Sequence, residues 1–89
     1  MQGIGGTVGV EQKIGRWVVI YLAVLSGRNS DSIDLDARFA EFDIDSVDAV
    51  EMATEFEKAF GVGIGPEFFL RGDQSVRDMV EELAERVAA

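Results

Sequence analysis

The chain has 89 residues, with 17 acids against 8 bases, a formal charge of -9, one proline, no cysteine and no histidine. That length is one domain's worth with a modest core; without cysteine there is neither disulfide nor thiolate metal site, and without histidine the commonest general base and metal ligand are gone. The acidity excludes nucleic acid as a partner, because phosphate contacts need a basic surface, and favours proteins that carry basic patches.

Residues 1–9 hold four glycines, which predicts a flexible tail ahead of a domain spanning 10–89. A dinucleotide fingerprint built on Gly3 and Gly5 fails, since position 8 is Val8 and no strand precedes it. Ile14, Trp17, Val18, Tyr21, Leu22 and Leu25 then recur at helical spacing, so a first helix is predicted with these side chains in the core. The β-branched run Val18-Val19-Ile20 pulls toward strand, but the length of the pattern decides for helix. The longest apolar run, Trp17 to Leu25, has nine residues, about half of the roughly 20 needed to span a bilayer. Lys13 and Arg16 sit late for a signal peptide. Both points imply a cytoplasmic protein with no membrane insertion; a monomer is expected. Gly27 is placed to cap the helix end.

Residues 28–45 form a long polar connection punctuated by Ile33, Leu35, Phe39, Phe42 and Ile44. The regular apolar insertions imply that it packs onto the bundle. Its aspartates do not make a calcium loop. A start at Asp43 puts Val47, Asp48 and Thr54 where a ligand, glycine and glutamate belong, and a start at Asp34 puts Arg38 and Phe39 at the third-ligand and glycine positions. Asp45 or Ser46 then caps a second helix running to Phe60, with Asp48 spaced as in a capping box. Gly61 ends it. Pro66 opens a short helix through Leu70, and Ser75 caps a last helix with Val76, Met79, Val80, Leu83 and Val87 on one face. The fold class is all-α: three main helices and one short one in a four-helix bundle, with the long loop between the first and second.

The second helix carries the functional signal. At about 100° per residue, Ala49, Met52, Ala53, Phe56, Ala59 and Phe60 share the buried side. Val47 falls on the opposite side beside Asp48, Glu51 and Glu55, with Thr54 flanking it and Val50 at the border. From Glu41 to Glu57 there are seven acids and no base. Like charges at helical neighbour spacing, such as Asp48 with Glu51, cost stability. An apolar knob ringed by carboxylates therefore reads as a docking face for basic partners, formed by Val47, Asp48, Glu51, Thr54 and Glu55.

The segment Phe39-Ala-Glu-Phe42-Asp43-Ile44-Asp45-Ser46-Val47-Asp48-Ala49-Val50-Glu51-Met52 resembles the acyl carrier protein signature, a phenylalanine followed by Leu-Gly-x-Asp-Ser-Leu and a Val-Glu-Leu helix. Glu55 to Ile64 is similar to the family's Leu-Glu-x-x-Phe-Gly-x-x-Ile stretch, and Ser75-Val76-Arg77-Asp78-Met79-Val80 to its last-helix start. The resemblance covers about residues 10 to 88. It implies that Ser46, next to Asp45, carries covalent 4'-phosphopantetheine from coenzyme A, which would make the chain a phosphoprotein. It also implies that a phosphopantetheinyl transferase attaches the arm, and that acyl groups travel as thioesters to acyltransferases, ketosynthases or similar enzymes of fatty acid, polyketide or related lipid biosynthesis. A non-catalytic carrier is expected, with no metal of its own and with Phe39, Phe56, Ile64 and Phe69 around the acyl chain. Val47 replaces the usual leucine, Asp43 the usual glycine and Phe42 the usual leucine. Asp48 and a short chain with its own Met1 look like the freestanding type, whereas the spacing of Phe39 and Phe42 is that of polyketide carriers. The competing reading of the same acidic face is a helical adaptor that is never modified; it would tolerate Ser46→Ala.

Overall fold

A computed structural model describes residues 6–88, with side chains from residue 9 onward. Three α-helices, α1 (Gly6–Ser26), α2 (Ser46–Phe60) and α3 (Val76–Ala88), alternate with three short 3-10 helices at Ser30–Ser32, Phe39–Phe42 and Pro66–Leu70. The expected bundle of three main helices and one short helix is what forms, and the short fourth helix is the Pro66–Leu70 turn. Among the described residues there is no strand, only an isolated antiparallel bridge between Arg38 and Ser75.

The first helix starts earlier than its glycines suggested. It is already helical at Gly6, so residues 6–9 are not tail, while residues 1–5 of that expectation lie outside the described residues. Glycine costs about 1 kcal/mol per helical position, but Val10 packs against the core and anchors the first turns. At the other end the helix stops as expected. Gly27 takes a left-handed φ of 71°, the Arg28 amide donates to the Ala23 carbonyl at 3.0 Å, and the Ser26 hydroxyl donates to the Leu22 carbonyl at 2.7 Å.

The core is one cluster. Ile14, Val18 and Leu22 of α1 meet Met52 and Phe56 of α2, Phe68 and Phe69 of the last turn, and Val76, Met79 and Leu83 of α3. Burying a side chain of this size is worth about 1.5–3 kcal/mol, whereas an exposed ion pair contributes about 0–1 kcal/mol. The apolar interior therefore holds the fold, and pairs such as Arg77–Asp36 at 3.0 Å trim its surface. Trp17 and Tyr21 are half-buried rather than core. Trp17 stacks against Tyr21 at 5.0 Å and meets Phe56 edge-on at 5.4 Å, leaving one side of the aromatic pair open. Ala59, on the edge of the buried arc of α2, is exposed.

The long connection does pack down. Ile33, Phe39 and Phe42 are buried, with Leu35 and Ile44 half-buried against the same core. Its middle is laced to the start of α3. Phe39 and Ala40 amides donate to the Gln74 and Gly72 carbonyls at 2.9 and 3.1 Å, and Val76 and Arg77 amides donate back to Ala37 and Leu35 at 3.0 and 2.8 Å. The Arg38 guanidinium adds a bond to the Asp73 carbonyl at 2.8 Å. This lacing ties the loop that leads toward α2 to the turn before α3 and its first residues.

Candidate functional site

The chain turns into α2 at Asp43, whose φ of 52° is left-handed. Aspartate tolerates that region better than most residues, which explains how it stands where glycine is usual in the resembling signature. Two residues later Asp45 is extended and serves as the N-cap. Its Oδ1 accepts from the Asp48 amide at 2.8 Å, and Asp48 Oδ2 accepts from the Asp45 amide at 3.4 Å. The first bond is short and the second is at the edge of the useful range, so Asp45 does most of the capping. The first helical bond, from the Ala49 amide to the Asp45 carbonyl, is 2.9 Å.

The consequence falls on Ser46. Of the two residues able to cap, Asp45 takes the role, and Ser46 becomes the first residue of the helix. Its side chain is exposed, and among the described residues its hydroxyl has no hydrogen-bond partner. A serine that is not needed as a cap, at a helix start free of the core, is one that an enzyme can enclose and esterify. Those are the features a covalent phosphopantetheine attachment requires, and the residues present fit it.

The side chains expected to dock partners line up beyond it. Val47 is 66% exposed, and Glu51, Thr54 and Glu55 are exposed, while Asp48 is half-buried by its capping role. Thr54 turns its hydroxyl back onto the Val50 carbonyl at 2.9 Å, so it offers a partner mainly its methyl group. Val50, 51% exposed, is a second exposed apolar side chain on the helix beside Val47. The charge pattern is uneven. Arg71 and Arg86 both bind Glu82, at 3.2 and 3.0 Å, and Arg77 binds Asp36. On α2, Lys58 binds Glu55 at 3.3 Å. Among the described residues, Asp48 and Glu51 face no cation of the chain, so their field is open to a partner.

The four residues expected around an acyl chain divide. All four are buried. Phe39 and Phe69 line a cleft of about 250 Å³ together with Ala40, Asp43, Ile44, Leu70 and Gly72, next to the segment that leads into Ser46. Phe56 and Ile64 lie in the core and do not line it. Ala40, Ile44, Leu70 and Gly72 were not singled out from the sequence. They converge through the hydrogen bonds between residues 37–40 and 72–76, a pairing that no local pattern announces; the adjacency of Ile44 to Ser46 was the one available hint.

No helix among the described residues is long and apolar enough to cross a membrane. Residues 16–83 match the protein family described as "Phosphopantetheine attachment site". Neither a curated protein nor a solved structure matches the chain.

Proposed function

Since the chain belongs to the phosphopantetheine attachment site family, whose members carry covalently attached 4'-phosphopantetheine, we propose that Ser46 is the residue to which the arm is attached. The carrier role itself follows from the family. When bound, the group supplies a terminal thiol that holds acyl groups as thioesters. The observation that supports Ser46 is the division of labour at the start of α2: Asp45 caps the helix, leaving an exposed serine hydroxyl with no structural task among the described residues.

The roles of the other residues follow. Asp45 orients the helix start and sets negative charge beside the hydroxyl, where a cation of the transferase site can pair with it. Val47, Asp48, Glu51, Thr54 and Glu55 form the face that basic patches of acyltransferases, ketosynthases or similar biosynthetic enzymes engage. Phe39 and Phe69, with Ile44 and Leu70, offer an apolar cleft for the first carbons of a cargo. Phe56 and Ile64 support that cleft from the core. The chain supplies no histidine or cysteine, so no side chain of either type is available to attack or hydrolyse a thioester. We read the chain as a cytoplasmic, monomeric, non-catalytic carrier of lipid or polyketide biosynthesis.

Intact mass tests the assignment. The chain and its Ser46→Ala variant are incubated with coenzyme A, magnesium and a broad-specificity phosphopantetheinyl transferase. A gain of one phosphopantetheine on the native chain alone is expected. A native chain that is not already modified and gains nothing, while a control carrier is loaded, would leave the unmodified adaptor as the better reading. A gain on both chains would move the attachment away from Ser46.

A further inference from the structure

α1 and α2 leave a groove of about 440 Å³ between them, lined by Trp17, Ile20, Tyr21, Val24, Leu25 and Glu51. Its floor is apolar and open. Ile20 is 49% exposed and Val24 76%, and they stand one helical turn apart on the same ridge of α1. Trp17 and Tyr21 form the adjoining ridge, stacked at 5.0 Å. Apolar side chains gathered on one stretch of surface mark interaction sites, whereas scattered ones need no explanation. The far wall is acidic. Burial first, and then the fields of Glu51, Glu55 and Asp48, push the Tyr21 hydroxyl above its ordinary value, so these three of the four carboxylates of α2 are felt at the groove. Glu55 is answered by Lys58; Glu51, which lines the groove, has no cation beside it among the described residues.

We propose that this groove docks an amphipathic helix of a partner protein, one with an apolar face flanked by lysine or arginine. The charge decides among occupants. A second copy of this chain carries the same net charge of -9 and would bring Glu51 and its neighbours against their own kind. An anionic lipid surface is repelled for the same reason. A cationic helix satisfies both walls: its apolar residues cover Ile20 and Val24, and its bases reach Glu51. The acidic wall is shared with the proposed docking face of α2 and to that extent rests on that reading. The apolar floor belongs to α1 and does not.

The probe is a synthetic leucine–lysine amphipathic peptide, titrated into the unmodified full chain. Trp17 is the only tryptophan and lies in the groove, so its fluorescence reports occupancy directly. Saturable binding of one peptide per chain is expected. The double variant Ile20→Gln/Val24→Gln should bind at least about tenfold more weakly, a loss of about 1.4 kcal/mol or more. Glu51→Gln should weaken binding and flatten its dependence on salt. A leucine–glutamate peptide with the same apolar face should not bind. Ile20 and Val24 are exposed, so circular dichroism of the double variant should match the native chain. Binding that survives Ile20→Gln/Val24→Gln would overturn the proposal in favour of diffuse attraction to α2, and equal binding of the leucine–glutamate peptide would overturn the charge argument. A native chain that sediments as a dimer, and as a monomer after Ile20→Gln/Val24→Gln, would make the groove a self-interface instead. The double variant should still accept phosphopantetheine in the mass assay, so the groove and the Ser46 assignment fail separately.

Discussion

Asp45 combines two roles that substitution can separate. Its side chain is the acceptor for the Asp48 amide at 2.8 Å, and its charge stands beside Ser46. Asp45→Ala removes both. Loss of an N-cap acceptor costs about 1 kcal/mol, within a range of about 0.5–2. For a chain of 89 residues, a stability of about 0.05–0.15 kcal/mol per residue amounts to roughly 4–13 kcal/mol, so the cap is a visible share of the whole. A domain of this size loses roughly 4–8 °C of Tm per kcal/mol, which sets the expected drop for Asp45→Ala. Asp45→Asn keeps an amide oxygen of comparable capping strength. It gives up a helix-dipole term of about 0.3–1 kcal/mol, but relieves repulsion from neighbouring Asp43 and Asp48, so most of the stability stays. Thermal denaturation followed by circular dichroism reads the first effect, and the initial rate of phosphopantetheine transfer reads the second. Asp45→Asn is expected to melt close to the native chain and yet to be modified more slowly. An unchanged Tm in Asp45→Ala would refute the capping argument. An equal drop in Asp45→Asn would show that charge, rather than the hydrogen bond, stabilises the helix start.

Phe56→Ala removes a fully buried ring that meets Trp17, Phe60 and Phe69; a loss of about 3–5 kcal/mol is expected, read as a lower urea midpoint, and a loss no larger than that of a surface substitution would mean that the aromatic cluster is not the keystone of the core. Tyr21, the only tyrosine, should titrate above 10.0 when followed by tyrosinate absorbance, and Glu51→Gln should lower its midpoint. Because the folded chain holds this proton more tightly than the unfolded one, its contribution to stability is complete below pH 10.0 and is lost as pH rises through the folded value; a midpoint unmoved in Glu51→Gln would place that carboxylate too far from the ring to matter.

The helices were legible because each carries a periodic apolar face and chemically explicit ends. Asp45 with Asp48, Gly61 with its φ of 73°, Pro66, and Ser75, whose hydroxyl accepts from the Asp78 amide at 3.0 Å, all act where their residue types predict. The proposal of Ser46 rests on its neighbours rather than on the residue itself, since serine is an ordinary cap; only the folded chain shows that Asp45 takes that role. Gly6 and Gly9 misled because helix propensity is a weak preference and the packing of Val10 overrides it. Trp17 and Tyr21 misled because a helical wheel gives direction without saying how far a neighbouring helix extends over it. The cleft beside Ile44 was hidden for a different reason: it depends on residues more than 30 positions apart being brought together, and no local period encodes that.

That pairing has a dynamic consequence. The nineteen residues between α1 and α2, tethered only at their ends, would fluctuate as one large loop. The Leu35 and Ala37 carbonyls accept from the Arg77 and Val76 amides of α3, and the Phe39 and Ala40 amides donate to the Gln74 and Gly72 carbonyls just before it, which divides that span into two short segments, each with little configurational freedom of its own. Opening the loop then requires breaking these bonds together, so the Phe39, Ala40, Val76 and Arg77 amides that donate them should be protected from exchange with solvent. If Ser46 carries the arm as proposed, its place at the start of α2 leaves the reach of that arm to its own rotors and to tumbling of the whole bundle.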